Sequence, residues 1–148
     1  MAINTHTVKT TYQSEGGSVT VKTESVNGDY SLNIEQDIPA GETNVHFDNL
    51  AVSVANLKGV AFGVRKKSTT PTQPASSVAT LTVKTNSSTS PDDTISLTVS
   101  NGYAWTTNDL NPLLLTVDIT DLYITSTGDA IAEFFGRFLQ DSTPILPG

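Results

Sequence analysis

The sequence predicts an all-β fold: a two-layer antiparallel β-sandwich, jelly-roll-like, of about eight strands. Three observations predict it. Ser and Thr supply roughly a quarter of the 148 residues, and Thr favours extended backbone. Apolar residues recur at every second position in short runs bounded by Gly, Asn, Asp and Pro, the pattern of half-buried strands. Each such run has a single apolar face, which two stacked sheets can bury against one another.

The length suits one domain over residues 1–148. Residues 1–6 and 141–148 are expected as extended or mobile termini. In chain order, Thr7–Gln13 reads as a short strand ended by Gly16-Gly17. Residues 18–26 and 29–36 flank Asn27-Gly28, the pair favoured in two-residue hairpin turns, and are expected to pair across it. That register sets Val21 opposite Ile34, Thr23 opposite Leu32 and Ser25 opposite Tyr30. Ile38-Pro39-Ala40-Gly41 turns the chain, and residues 44–50 and 52–54 alternate as further strand. Leu57–Val64 reads as a buried strand whose glycines allow close backbone approach. Residues 65–77, with two prolines and three leading basic residues, read as an exposed loop. Strands are expected at Val78–Thr85 and Thr94–Val99, with a turn pair at Asn101-Gly102.

Residues 113–139 form the most apolar stretch. Read as a hairpin, a three-residue loop Ser126-Thr127-Gly128 sets Ile124 opposite Ala130, Leu122 opposite Ala132 and Thr120 opposite Phe134, with glycine at the left-handed position. A helix is the rival for 129–139, since Ile131, Phe134, Phe135 and Phe138 have helical spacing. Gly136 and the three phenylalanines favour strand.

The net charge is −7 and the pI about 4.5, a surface that phosphate backbones repel, so no nucleic-acid partner is expected. No apolar run is long enough to cross a bilayer as a helix, and the opening MAINTHTVKT lacks the apolar core of a secretory signal. No membrane partner is expected. Cysteine is absent, which removes disulfides and thiolate chemistry.

No catalytic, cofactor or metal residue set is predicted. The two histidines, His6 and His46, lack metal-ligand spacing, and His46 reads as an exposed strand residue. Asp92-Asp93 and Asp118 with Asp121 are the best acidic clusters, but no calcium-loop pattern surrounds them. No Gly-x-Ser-x-Gly elbow or phosphate loop is present. Candidate contact residues are Tyr103, Trp105 and Tyr123, as a platform for sugar stacking, and Arg65, Lys66 and Lys67, as a basic spot for an acidic neighbour. A Trp ending a strand more often plugs the rim of a sandwich core.

Several segments carry a resemblance: Leu81–Asn86, Asp92–Leu97, Trp105, Asn111-Pro112, Val117–Thr125, Gly128-Asp129-Ala130 and Asp141–Pro144. In rhythm, over about residues 43–144, they resemble small β-sandwich virion structural proteins of tailed bacteriophages. The resemblance implies a capsid decoration, head-completion or tail-associated role, no enzymatic activity and a strand at 130–139. It also implies capsid or tail proteins as partners, homo-oligomeric assembly, and residence in the virion after synthesis in the host cytoplasm. Phe134, Phe135 and Phe138 depart from it. The alternative is a carbohydrate- or receptor-binding module of a fibre or adhesin.

Overall fold

A computed structural model describes residues 4–67, 74 and 76–141. The expected loop at 65–77 falls partly outside these, as do residues 1–3 and 142–148. The described chain is all-β, with ten strands: β1 (Asn4–Ser14), β2 (Gly17–Gly28), β3 (Tyr30–Ile38), β4 (Val45–Phe47), β5 (Leu57–Lys66), β6 (Thr80–Thr85), β7 (Thr94–Thr98), β8 (Tyr103–Thr106), β9 (Leu122–Ser126) and β10 (Ala132–Gln140).

Eight of them form two four-stranded antiparallel sheets, ordered β3-β10-β5-β8 and β4-β9-β6-β7, while β1 and β2 pair as a separate hairpin. The pairs β6–β7, β5–β8, β4–β9 and β3–β10 nest inside one another along the chain. They are the rungs of one long antiparallel ribbon with its bend between β6 and β7. Pairing β10 with β5 and β9 with β6 rolls that ribbon into two facing layers. This is the jelly-roll topology.

Alternation along each strand sends one set of side chains into the gap between the layers. From the first sheet come Ile34, Ile38, Val60, Phe62, Phe134 and Phe138; from the second, Leu81, Val83, Ile95, Leu97, Leu122 and Ile124. Phe62 centres an aromatic group, 5.4 Å edge-on from Phe138 and 6.0 Å from Phe134. Positions 132–140 are strand, because both sides of β10 are paired and its alternate phenylalanines fill the core.

Two expected hairpins are not formed. Strands β2 and β3 do not pair across Asn27-Gly28; β2 pairs with β1 around a turn at Ser14–Gly17. The chain runs extended through Gly28, which pairs with Asn4, and a β-carbon there would lie 2.8 Å from the Gln140 carbonyl oxygen and 3.0 Å from Leu139 Cγ. Glycine is used for close approach and not for a turn. Likewise β9 and β10 lie in opposite sheets, so Ile124, Leu122 and Thr120 do not face Ala130, Ala132 and Phe134. Both strands point apolar residues at the same core from opposite layers. Their connection lies against residues 78–80: Thr127 and Ala130 donate backbone hydrogen bonds to Thr80 and Val78 carbonyls, and Asp129 accepts from the Val78 amide at 2.6 Å. Gly128 leaves no space for a side chain beside the Val78 carbonyl.

Candidate interaction surface

Strand register fixes what lies on the outer face of the β3-β10-β5-β8 sheet. Four rows cross it: Ser31–Leu139–Gly59–Thr106, Asn33–Arg137–Ala61–Ala104, Glu35–Phe135–Gly63, and Asp37–Glu133–Arg65. The β1–β2 hairpin, an arm that precedes the jelly roll, sits on the first row. Val26 packs onto Gly59, where an added β-carbon would approach Val26 Cγ2 to 3.2 Å. Leu139 points outward yet is fully buried, because Gly28 covers it. Val26 and Leu139 thus bury apolar surface on the side of the sheet opposite the main core.

Polar contacts complete the seat. The Thr106 hydroxyl donates to Glu24 Oε2 at 2.6 Å, and Lys22 pairs with Glu24 at 2.6 Å and Asp109 at 3.4 Å. The hydrogen bond from Lys22 and that from Thr106 hold the Glu24 carboxyl below its usual pKa. His6 Nε2 lies 3.0 Å from Ser31 Oγ. Burial, and then the charge of Arg137, lower the His6 pKa. Residues 4–6, expected within a terminal tail, are paired with Val26–Gly28. A cleft of about 340 Å³ remains under this part of the arm, lined by His6, Val8, Asn33, Gly59, Arg137 and neighbours.

Beyond its seat the arm runs into the open. A bulge lies between Thr10 and Thr11, where Thr10 pairs with Lys22 and Thr11 with Thr20. Such a bulge bends and twists a ribbon. Thr11, Gln13–Ser18 and Thr20 are exposed.

The arm overhangs the second row at Asn33, Ala61 and Arg137, and the rows of Glu35 and Asp37 lie beyond it. Phe135 stands at their centre, with the Arg65 guanidinium 4.8 Å and that of Arg137 5.7 Å from its ring. Arg65 pairs with Glu133 at 3.1 Å, and Arg137 pairs with Glu35. Beside Phe135, the residues Ala61, Gly63, Gly102 and Ala104 floor a shallow trough of about 400 Å³.

No protein-family model, no curated protein and no solved structure matches this chain.

The six candidate contact residues are placed apart. Tyr103 and Trp105 point inward from β8 and pack on the core. The Tyr103 hydroxyl accepts from the Leu114 amide at 3.0 Å, and burial raises its pKa. Trp105 Nε1 donates to the Asn111 carbonyl at 3.1 Å. Tyr123 lies on the outer face of the opposite sheet, stacked on His46 with ring centroids 4.3 Å apart. The three rings therefore form no common platform. Arg65 lies beside Phe135, Lys66 holds the Pro74 and Ser77 carbonyls, and Lys67 pairs with Asp37, which raises its pKa.

The acidic residues tie loops. Asp93 accepts from the Thr116 amide and hydroxyl, Asp118 from the Val54 amide, and Asp92 from Asn86. Asp121 accepts from the Thr120 hydroxyl and lies 2.7 Å from His46 Nε2, and both contacts lower its pKa. Sequence reasoning missed Phe135, Arg137 and the Glu24–Thr106 contact. Phe135 and Arg137 had a usable signal: they alternate with Phe134, Gly136 and Phe138, so a strand reading puts them outside.

Proposed function

We propose that this chain is a non-enzymatic virion structural protein, a capsid decoration or head-completion component that acts by homo-oligomeric assembly. One observation carries the reading: a closed jelly-roll body bears a hairpin arm that extends past its own seat. A two-stranded hairpin is marginal on its own in water, so the exposed part of the arm is suited to being completed by a neighbour. Jelly rolls recur in viral capsid and lectin domains, which supports the class by analogy of fold. The aspartates that could do chemistry are engaged in holding loops, which agrees with a protein that works by shape. Many copies each burying a modest surface bind through avidity. The test is co-sedimentation: the purified chain is expected to band with phage particles of its genomic neighbourhood, and particles without bound protein at saturating concentration would reject the reading.

A second reading, a carbohydrate-binding module, is favoured by the outer face of the β4-β9-β6-β7 sheet. There Tyr123 and His46 adjoin rows of hydroxyls, Thr80 with Thr98 and Thr127, and Thr82 with Ser96 and Thr125. A glycan-array signal lost in Tyr123→Ala and retained in Trp105→Phe would select it.

A further inference from the structure

We infer that the exposed part of the arm docks on the trough beside Phe135 of a second copy of this chain. The inference rests on the assembly reading and names its contact. The trough continues the surface on which the arm is already seated. Ala61 and Arg137 line both the cleft under the arm and the trough, yet no arm residue lines the trough. The arm of the same copy is fixed on the first row by Val26 and Glu24, so the trough is left for another arm.

Shape and length agree. Residues 11–20 extend roughly 15 Å past the bulge at about 3.3 Å per strand residue. A ribbon needs a flat, shallow bed, and the glycines and alanines of β5 and β8 give one, with Phe135 as a wall. The turn carries Glu15, and the guanidiniums of Arg65 and Arg137, paired with Glu133 and Glu35, flank Phe135, where Glu15 of another copy could compete for them. Phenylalanine and arginine are both enriched at protein interfaces relative to the rest of the surface.

Arm-to-trough contact is head-to-tail: the two patches differ, and each copy owns one of each. It therefore closes into rings or propagates as a chain of subunits, in contrast to a two-fold dimer.

Two variants separate the halves. One replaces Thr11–Thr20 with an Asn-Gly turn, keeping the seated base. The other is Gly63→Glu, where a β-carbon meets nothing within 4 Å, so the fold tolerates the change while the trough fills. Ala104→Glu serves if Gly63→Glu does not fold. Analytical ultracentrifugation of the full chain is expected to show oligomers. Each variant alone is expected to be monomeric, with association weakened at least about tenfold. Mixing the two restores one intact contact, so a complex of two chains and no larger species is expected. Oligomers that persist in either variant, or a mixture that stays monomeric, would overturn the docking while leaving particle binding intact. A full chain that is monomeric yet bands with phage particles would overturn it too.

Discussion

Thr106 and Glu24, 82 residues apart in sequence, share a 2.6 Å hydrogen bond that joins the arm to the outermost strand of the sheet. Both are buried, and the threonine hydroxyl is fixed as the donor because the carboxylate is ionised. The arm is thus seated by a specific polar contact as well as by Val26, and its hold on the body can be tested separately from the stability of the body.

Gly28→Val should unseat the arm and leave the sandwich folded. Its side chain would meet the Gln140 carbonyl, which is backbone and cannot swing away. Overpacking of this kind costs about 1–3 kcal/mol. Hydrogen exchange should quicken across β1 and β2 with β9 and β10 amides unchanged.

The seat should weaken in mild acid. His6 is neutral when seated and its pKa lies below 6.5, so the released arm binds the proton more readily. Stability then rises with pH and is fully present above about 6.5; it falls as pH drops from that value toward the lowered one. Glu24, also lowered, adds a loss of the same sign at lower pH, below its ordinary value of 4.5. Exchange of β1 amides measured from pH 7.5 to 5.5 should show the first effect, and His6→Gln should flatten it.

Phe138→Ala and Phe135→Ala should differ sharply although the residues are three apart on one strand. Phe138 is fully buried against Phe62, and truncating a core phenylalanine costs about 3–5 kcal/mol. Phe135 stands on the outer face, where substitutions cost about 0.5 kcal/mol, or somewhat more when two guanidiniums are deprived of their ring. Urea denaturation would separate them; similar losses would contradict the facing of β10.

Asn86→Ala should loosen the loops that meet under β9. The Asn86 side chain accepts from the Thr120 amide at 2.9 Å and donates to Asp92 at 2.7 Å and the Asp118 carbonyl at 2.8 Å. Its φ of 65° suits asparagine and strains alanine. A cost of about 1–3 kcal/mol is expected from the orphaned partners, and Asn86→Gly, which relieves the backbone, should recover only part of it. Thermal denaturation reads both.

Gly128→Ala should be among the most damaging single changes, since its β-carbon would fall on the Val78 carbonyl. The expected outcome is a chain that folds only at reduced temperature, read by circular dichroism.

What is legible in the sequence is facing. Alternation places Leu81 and Val83, then Ile95 and Leu97, on the core side, and the fold class follows. Alternation does not reveal partners. The apolar faces of β9 and β10 look alike whether the strands pair or oppose each other across a core, so a good local loop at Ser126–Gly128 suggests a hairpin where the chain in fact crosses between layers. Asn27-Gly28 misleads for a related reason: Gly28 pairs with Asn4 and lies against Gln140, and both partners are far off in the chain. The surface beside Phe135 is hidden when the three phenylalanines are taken as one group, because register sends Phe134 and Phe138 one way and Phe135 the other.

The nested order of the pairs also sets a timetable. Strands β6 and β7 close the shortest loop, and β3 with β10 the longest, so assembly of the roll is expected to proceed from the middle outward. During synthesis the arm leaves the ribosome early, while Leu139 and Gln140, on which it rests, leave late. Until then the arm lacks the Leu139 and Gln140 part of its seat, and it is exposed to other chains before that seat is complete.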